Sequence, residues 1–442
     1  MTTDKKLTVA DLSVDQRKVY DVMFDWSESR WSNLLTVGGY GGVGKSSLLG
    51  VFSKSLQDRN VGPVAYCCYT GRASSVLGRK LKASRVATTS RTLKEGKALT
   101  GRFKNLFYSA SSPEADMPYC GTIHRLLYRP VIDDKTEELK GWVKRDALDR
   151  PYRLIIVDEA SMVSDDLLRD LQFHGAPILA VGDHGQLPPV MASGDLMQKP
   201  MLRLEKIHRQ AEGSPIIRLA HHVREGGGLA AWQAGKSAAK QDAVRFFSKS
   251  ETDSVLREAY LNSNPLDVVT LCWMNKTRCR LNESVRKALG HDGDDVILDA
   301  GEVAICLKNK PPVYNGMRGL ALGDAMPDSK EPWRAHVAFD FPEEGVLGQK
   351  FEICIPQLGR EKTYASVDDL VKDEIPAERM GDGGSYFDYG YCCTVHKFQG
   401  GQADHVVFYV DRAEDGSEET RRLFYTAITR SSSRLSVLFG GS

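Results

Sequence analysis

Gly39-Tyr40-Gly41-Gly42-Val43-Gly44-Lys45-Ser46 is the segment from which the fold can be read. It follows the apolar run 34–37 directly and precedes a helix-like stretch at 46–57, so the spacing GxxxxGK[ST] falls in a strand, loop, helix setting. A backbone that wraps a phosphate with its amides inward leaves no room for side chains, and this explains the glycines. The helix that follows offers its N-terminus to the same anion. Lys45 is expected to reach the β and γ phosphates and the Ser46 hydroxyl to ligate Mg²⁺, with Gly39, Gly41, Gly42, Val43, Gly44 and Ser47 completing the cradle.

Further apolar runs bounded by turn residues occur at 64–69, 154–157 and 178–181, each reading as a strand buried on both faces. Helix-like stretches such as 164–173 lie between them, the pattern of a parallel sheet covered by helices. It returns at 268–273, 405–410 and 435–439, which predicts a second α/β domain. Residues 292–386 break the pattern with Gly, Pro and alternating segments and read as a small inserted β barrel. A strand, turn, strand signal at 128–148 reads as a projecting hairpin. The segment 84–118 is polar; up to Lys104, Arg85, Arg91, Lys94, Lys97, Arg102 and Lys104 stand against the single acid Glu95, which suits a solvated loop.

The 442 residues exceed one ordinary core, and no repeat period is visible. With 59 basic and 58 acidic residues the net charge is +1, so bulk charge does not hold the chain to nucleic acid; any such site is a local arrangement. No apolar stretch reaches the roughly 18 residues a bilayer crossing needs, so no membrane is expected. The polar N-terminal segment carries no export signal, so a cytoplasmic setting is expected. Nine cysteines without CxxC or Cys/His spacing read as reduced, buried thiols.

Asp158 and Glu159 follow the run 154–157. Two adjacent carboxylates repel one another without a cation. With Mg·ATP, Asp158 would support the metal shell and Glu159 orient or deprotonate the attacking water, which points to hydrolysis. Gln16, early in a helix ahead of the loop, has an amide suited to reading the adenine edge.

Five further strings carry a resemblance: Tyr69-Thr70-Gly71-Arg72-Ala73; Gly121-Thr122-Ile123-His124-Arg125-Leu126-Leu127; Gly182-Asp183-His184-Gly185-Gln186-Leu187-Pro188-Pro189-Val190; Thr394-Val395-His396-Lys397-Phe398-Gln399-Gly400; and Tyr425-Thr426-Ala427-Ile428-Thr429-Arg430. In this order the chain resembles superfamily-one DNA helicases of the RecD and phage Dda type over residues 14–439. The resemblance implies two RecA-like P-loop domains with ATP between them, an inserted β-hairpin pin and an inserted SH3-like β barrel. The expected divisions are 1–127, 128–148 (pin), 149–205, 206–291, 292–386 (barrel) and 387–442.

It further implies ATP-driven 5′ to 3′ movement on single-stranded DNA and unwinding of duplex junctions by a monomer, in replication, recombination or repair. Single-strand-binding or replisome proteins are the implied partners, in a bacterial cell or phage-infected host. Gln186 would sense hydrolysis, and Arg209 and Arg430 would act as arginine fingers on the phosphoryl charge. Thr70, Arg72, Thr122, His124, Thr394, His396 and Lys397 would contact the strand through phosphates and sugars, indifferent to sequence; local capping is the plainer role for each hydroxyl. Trp142 either stacks on the terminal base pair or packs its own hairpin. Val313-Tyr314-Asn315-Gly316-Met317-Arg318-Gly319 matches the barrel, and Asn-Gly is also a tight-turn signal.

Two departures stand out: Tyr69-Thr70-Gly71 replaces the common Pro-Thr-Gly, and 84–118 is long for its place. RNA or RNA/DNA unwinding is the sister reading, since backbone contacts need not report the 2′-hydroxyl. A P-loop kinase or metabolic ATPase leaves Arg209, Arg430 and the 186–190 string unexplained, and a nucleotide-dependent scaffold does not require Glu159.

Overall fold

The computed structural model describes residues 7–84, 86, 89–90, 118–132, 139–188, 195–206, 213–234, 243–291, 297–307, 313, 315–330, 334–342, 346–361 and 387–440. The chain divides into two compact units: Met1–His184 with Pro188–Ala211, and Gly185–Leu187 with Glu212–Ser442.

The first unit is built on a seven-stranded sheet. Its strands are β1 (Leu34–Gly39), β2 (Val64–Cys68), β3 (Thr89–Ser90), β4 (Tyr119–Thr122), β7 (Leu154–Val157), β8 (Ile178–Gly182) and β9 (Leu202–Leu204), in the order β3-β4-β2-β7-β8-β1-β9. Every neighbouring pair is parallel. Side chains alternate across a strand, so one apolar run feeds two cores. Leu35, Val37, Val64, Tyr66, Leu154, Ile156 and Val181 enter one core, which also takes residues of α1 (Val14–Ser29), α2 (Lys45–Asp58) and α3 (Gly71–Ala83). Ala65, Cys67, Ile155, Val157, Ile178 and Ala180 enter the other, with α4 (Ile123–Leu127) and α5 (Asp165–Phe173). The strands β5 (Tyr128–Ile132) and β6 (Leu139–Lys144) form the antiparallel hairpin, with Tyr128 opposite Lys144. Its base is fixed because Lys144 Nζ donates to Asp170 Oδ1 of α5 at 2.6 Å and the Tyr128 hydroxyl donates to the other oxygen of that carboxylate.

In the second unit β10 (Val244–Phe247), β11 (Val268–Cys272), β17 (Cys392–Thr394), β18 (Ala403–Val410) and β19 (Ser431–Phe439) form a parallel sheet ordered β10-β19-β18-β11-β17. Its helices are α6 (Pro215–Arg224), α7 (Leu229–Ala234), α8 (Thr252–Leu261), α9 (Asn275–Leu289) and α10 (Glu418–Ile428). The insertion consists of β12 (Val303–Cys306), β13 (Arg318–Ala321), β14 (Arg334–Phe341), β15 (Val346–Cys354) and β16 (Phe387–Tyr389). These strands make a curled antiparallel half-barrel ordered β15-β14-β13-β12-β16, around Phe339, Phe341, Phe351 and Phe387.

Three arginines, two of them buried, tie this half-barrel to the α/β body of the same unit. Arg318, 5% exposed, donates to the carbonyls of Val268 (2.7 Å), Gly390 (2.8 Å), Pro265 (3.0 Å) and Leu266 (3.3 Å). Arg286 of α9 makes a two-pronged pair with the fully buried Glu302, at 2.7 and 3.1 Å. Arg278 pairs with Asp388, whose other oxygen accepts from the amides of Gly359 and Tyr389. Burial pushes the Asp388 carboxyl up and the adjacent guanidinium of Arg278 pulls it back.

The expected divisions need adjusting at two places. Residues 387–389 were assigned to the returning α/β part, yet they pair with β12 in the insertion, since the α/β strand starts only at Cys392. Gly185–Leu187, placed in the first domain by sequence, belongs to the second unit by its contacts. None of the nine cysteines is in a disulfide, and eight of them are buried. Among the described residues no helix is long and apolar enough to cross a membrane.

Candidate nucleotide and nucleic-acid sites

The phosphate loop joins β1 to α2. Gly42 and Gly44 have φ of 85° and 80°, a region that side chains disfavour, and a Cβ on Gly39 would lie 2.7 Å from Val43 Cγ2. Gly44 caps α2 with Lys45 as its first residue, so the amides of the first turn have no partner within the helix. The Lys45 ammonium donates to the carbonyls of Gly39 and Tyr40 and lies 3.7 Å from Asp183 Oδ2.

Gln16 uses both ends of its amide on the protein. Its Oε1 accepts from Ser13 N at 3.0 Å, closing a capping box, and its Nε2 donates to Gly44 O at 3.1 Å. This 2%-exposed side chain therefore ties the start of α1 to the end of the phosphate loop.

Asp158 ends β7 beside the loop, 9% exposed, with its Oδ1 accepting from the amide of Glu159 at 3.0 Å. Burial and the neighbouring Glu159 push its carboxyl up; the charges of Lys80 and Lys45 pull it down. Glu159 stands at φ 55°, a left-handed conformation uncommon for a residue with a side chain. Lys80 of α3 donates to Ser46 Oγ at 2.9 Å. The sequence reading missed this lysine, and nothing in the string Arg79-Lys80-Leu81-Lys82 distinguishes it from its neighbours. Ser46, Lys80 and Asp158 line one small recess with Leu49, Gly50, Leu77 and Leu81. A hydroxyl and a buried carboxylate beside a phosphate loop are hard oxygen donors of the kind Mg²⁺ takes, so the residues fit the metal.

The expected strand contacts in the first unit meet at neighbouring strand ends, because β2 and β4 pair with Cys68 opposite Thr122. Thr70 Oγ1 accepts from Ala73 N (3.1 Å) and Thr122 Oγ1 from Arg125 N (3.2 Å), capping α3 and α4. His124 packs between Tyr69 and Tyr128, with ring centroids 5.7 and 5.5 Å away. In the second unit Thr394 Oγ1 accepts from Lys397 N at 3.3 Å, and His396 packs on Trp273 at 5.0 Å. The capping role holds for all three threonines, but capping uses only the oxygen and leaves each O–H proton available to a phosphate. Burial lowers the pKa of His124, His396 and Lys397.

Leu187 is clipped within the second unit: its amide donates to Thr426 Oγ1 (3.0 Å) and its carbonyl accepts from Gln399 Nε2 (2.8 Å). Gln186 beside it is 4% exposed, and its Oε1 has no hydrogen-bond partner among the described residues. Arg430 is buried, donating to the carbonyls of Thr426 and Gly401 at 3.2 Å each and to Thr429 Oγ1 at 3.3 Å. Arg209, the side chains of Arg72 and Trp142, and the basic residues expected in the 84–118 loop lie outside the described residues.

A family model described as an AAA domain matches residues 12–249, more than half of the chain, and one described as a UvrD-like helicase C-terminal domain matches 389–438. The chain belongs to this AAA-domain family. It is 39% identical over 113 residues to an ATP-dependent RecD2 DNA helicase of Deinococcus radiodurans, a match spanning 24% of this chain and 14% of that protein. Its fold is similar to that of Pif1 helicases in a structure concerned with unwinding at forked duplex DNA (17% identity, 96% of this chain and 92% of that one, TM-score 0.51). A Pif1 helicase from Bacteroides in complex with ADP-AlF3 and single-stranded DNA is comparably similar (16% identity, 96% and 92% coverage, TM-score 0.50).

Proposed function

We propose that the chain is an ATP-driven 5′ to 3′ translocase on single-stranded DNA that unwinds duplexes bearing a 5′ overhang. The observation that carries this reading is the cluster of Lys45, Ser46 and Asp158 at the carboxyl edge of the same sheet that ends in the capped threonines Thr70 and Thr122. A hydrolysis site and a sequence-indifferent phosphate grip thus share one rigid scaffold.

The glycine loop and the first turn of α2 bind the triphosphate, and Lys45 exchanges its carbonyl partners for phosphate oxygens. Ser46 and Asp158 would hold Mg²⁺, which would supply positive charge to offset that of the phosphates. Glu159 orients the attacking water and accepts its proton. Gln186, with its unpaired buried oxygen, reports on the γ phosphate, and Arg209 and Arg430 stabilise the spreading phosphoryl charge. Thr394, His396 and Lys397 give the second unit its own grip, so that the two units can hold the strand in alternation. The hairpin serves as the duplex-splitting pin, and the half-barrel is the SH3-like element of the family.

Glu159→Gln keeps the shape of the side chain and removes the base. ATP hydrolysis in the presence of single-stranded DNA should fall about 100-fold or more while nucleotide binding persists, the usual size of a general-base contribution. An unchanged rate would remove Glu159 from the mechanism.

A further inference from the structure

Large aromatic side chains of the first unit are mostly interior: Tyr20, Trp26, Phe52, Tyr66, Tyr119 and Tyr152 are all buried. Tyr69, like Trp31 and Phe173, is exposed, at 36% directly past the end of β2. Its hydroxyl makes no hydrogen bond among the described residues, whereas the hydroxyl of Tyr128 is committed to Asp170. The ring makes a T-shaped contact with His124, centroids 5.7 Å apart, which packs in turn against Tyr128, whose hydroxyl is fixed to Asp170 of α5. Tyr69 is therefore packed against His124 and still about a third exposed to solvent.

Its neighbours define what it faces. Thr70 follows it in the chain and Thr122 ends the adjacent strand, each with its oxygen spent on a helix cap and its proton able to donate. Burial lowers the pKa of His124, which favours its neutral form. An uncharged π surface flanked by two hydroxyl donors matches a nucleobase flanked by its own phosphates better than it matches an anion or a peptide carboxylate.

We propose that Tyr69 is a base-stacking residue of the first unit, taking one nucleobase of single-stranded DNA on its exposed ring while Thr70 and Thr122 hold the adjoining phosphates. The inference rests on the helicase reading above and adds a contact to it. Stacking tolerates every base, so the contact strengthens the grip without imposing a sequence.

The test is a binding cycle on the full chain with a fluorescent oligothymidylate and the same oligonucleotide made abasic. Tyr69→Ala should weaken oligothymidylate binding by about 5- to 150-fold, the range of one lost stacking contact, with an unchanged melting temperature. Tyr69→Phe should stay close to wild type. On the abasic strand wild type and Tyr69→Ala should bind alike, since no base is left to stack. Equal affinity of Tyr69→Ala and wild type for oligothymidylate would overturn the inference. So would a loss that persists undiminished on the abasic strand, because the ring would then act only by shaping the threonines. In either case wild-type binding and DNA-stimulated hydrolysis would leave the helicase reading intact; a wild-type protein that ignored single-stranded DNA would remove both.

Discussion

Lys80 ends 2.9 Å from the hydroxyl of Ser46 and acts electrostatically on Asp158, the two groups that fit Mg²⁺. A cation fixed there opposes a second cation, by roughly 1 kcal/mol at 4 Å even in water and by more where water is excluded. Lys80→Met should therefore tighten Mg²⁺ binding in the presence of ADP by about 5-fold or more, read from a metal titration of a fluorescent nucleotide. A weaker metal would instead make Lys80 a phosphate ligand. The phosphate loop, Asp158 and Glu159 were legible in the sequence because their chemistry is contained in a few consecutive residues after an apolar strand. Lys80 was not, since it comes to Ser46 from a helix 34 positions on and looks like any surface lysine. Gln16 was legible as a polar residue near the loop, yet its work as a brace depends on carbonyls 27 and 28 residues away.

At the scale of elements, the half-barrel depends on single polar anchors more than its apolar core suggests. Arg318 satisfies four backbone carbonyls, three of them on the 265–268 segment that leads into β11, and a buried guanidinium with such partners cannot be replaced by a shorter chain. Arg318→Ala should cost about 3–5 kcal/mol in urea denaturation, the scale of breaking a buried charged network. Phe339→Ala, inside the phenylalanine cluster, should cost about 3–5 kcal/mol by opening a cavity. The parallel strands were readable because burial on both faces writes a continuous apolar run. The three-residue strand at 387–389 was not, because its length carries no periodicity and its partner β12 lies some eighty residues earlier.

The second unit also carries a pH dependence. His405 is buried on β18 with Nε2 3.0 Å from Ser436 Oγ, and burial, followed by the charges of Arg434 and Arg245, lowers its pKa to about 4. Between that value and the ordinary histidine value near 6.5 the unfolded chain binds the proton that the folded chain refuses. Its stabilising contribution is therefore fully present above about pH 6.5 and is lost progressively as pH falls toward 4. Urea midpoints measured at pH 7.5 and 5.0 should differ less in His405→Asn than in wild type; an equal drop would assign the acid sensitivity elsewhere.

At the scale of the whole molecule, two parallel α/β units with an antiparallel insertion were predictable from alternating apolar and helical stretches, while the direction of movement came only from the resemblance. No local rule of packing or charge converts a pair of strand grips into a polarity. The decisive measurement is unwinding of two otherwise identical duplexes, one with a 5′ and one with a 3′ single-stranded tail, alongside ATP hydrolysis with and without single-stranded DNA. Strong stimulation of hydrolysis with opening of the 5′-tailed duplex alone is the predicted result. Opening of the 3′-tailed duplex alone would reverse the polarity, and hydrolysis indifferent to DNA would contradict the account of the molecule as a DNA motor.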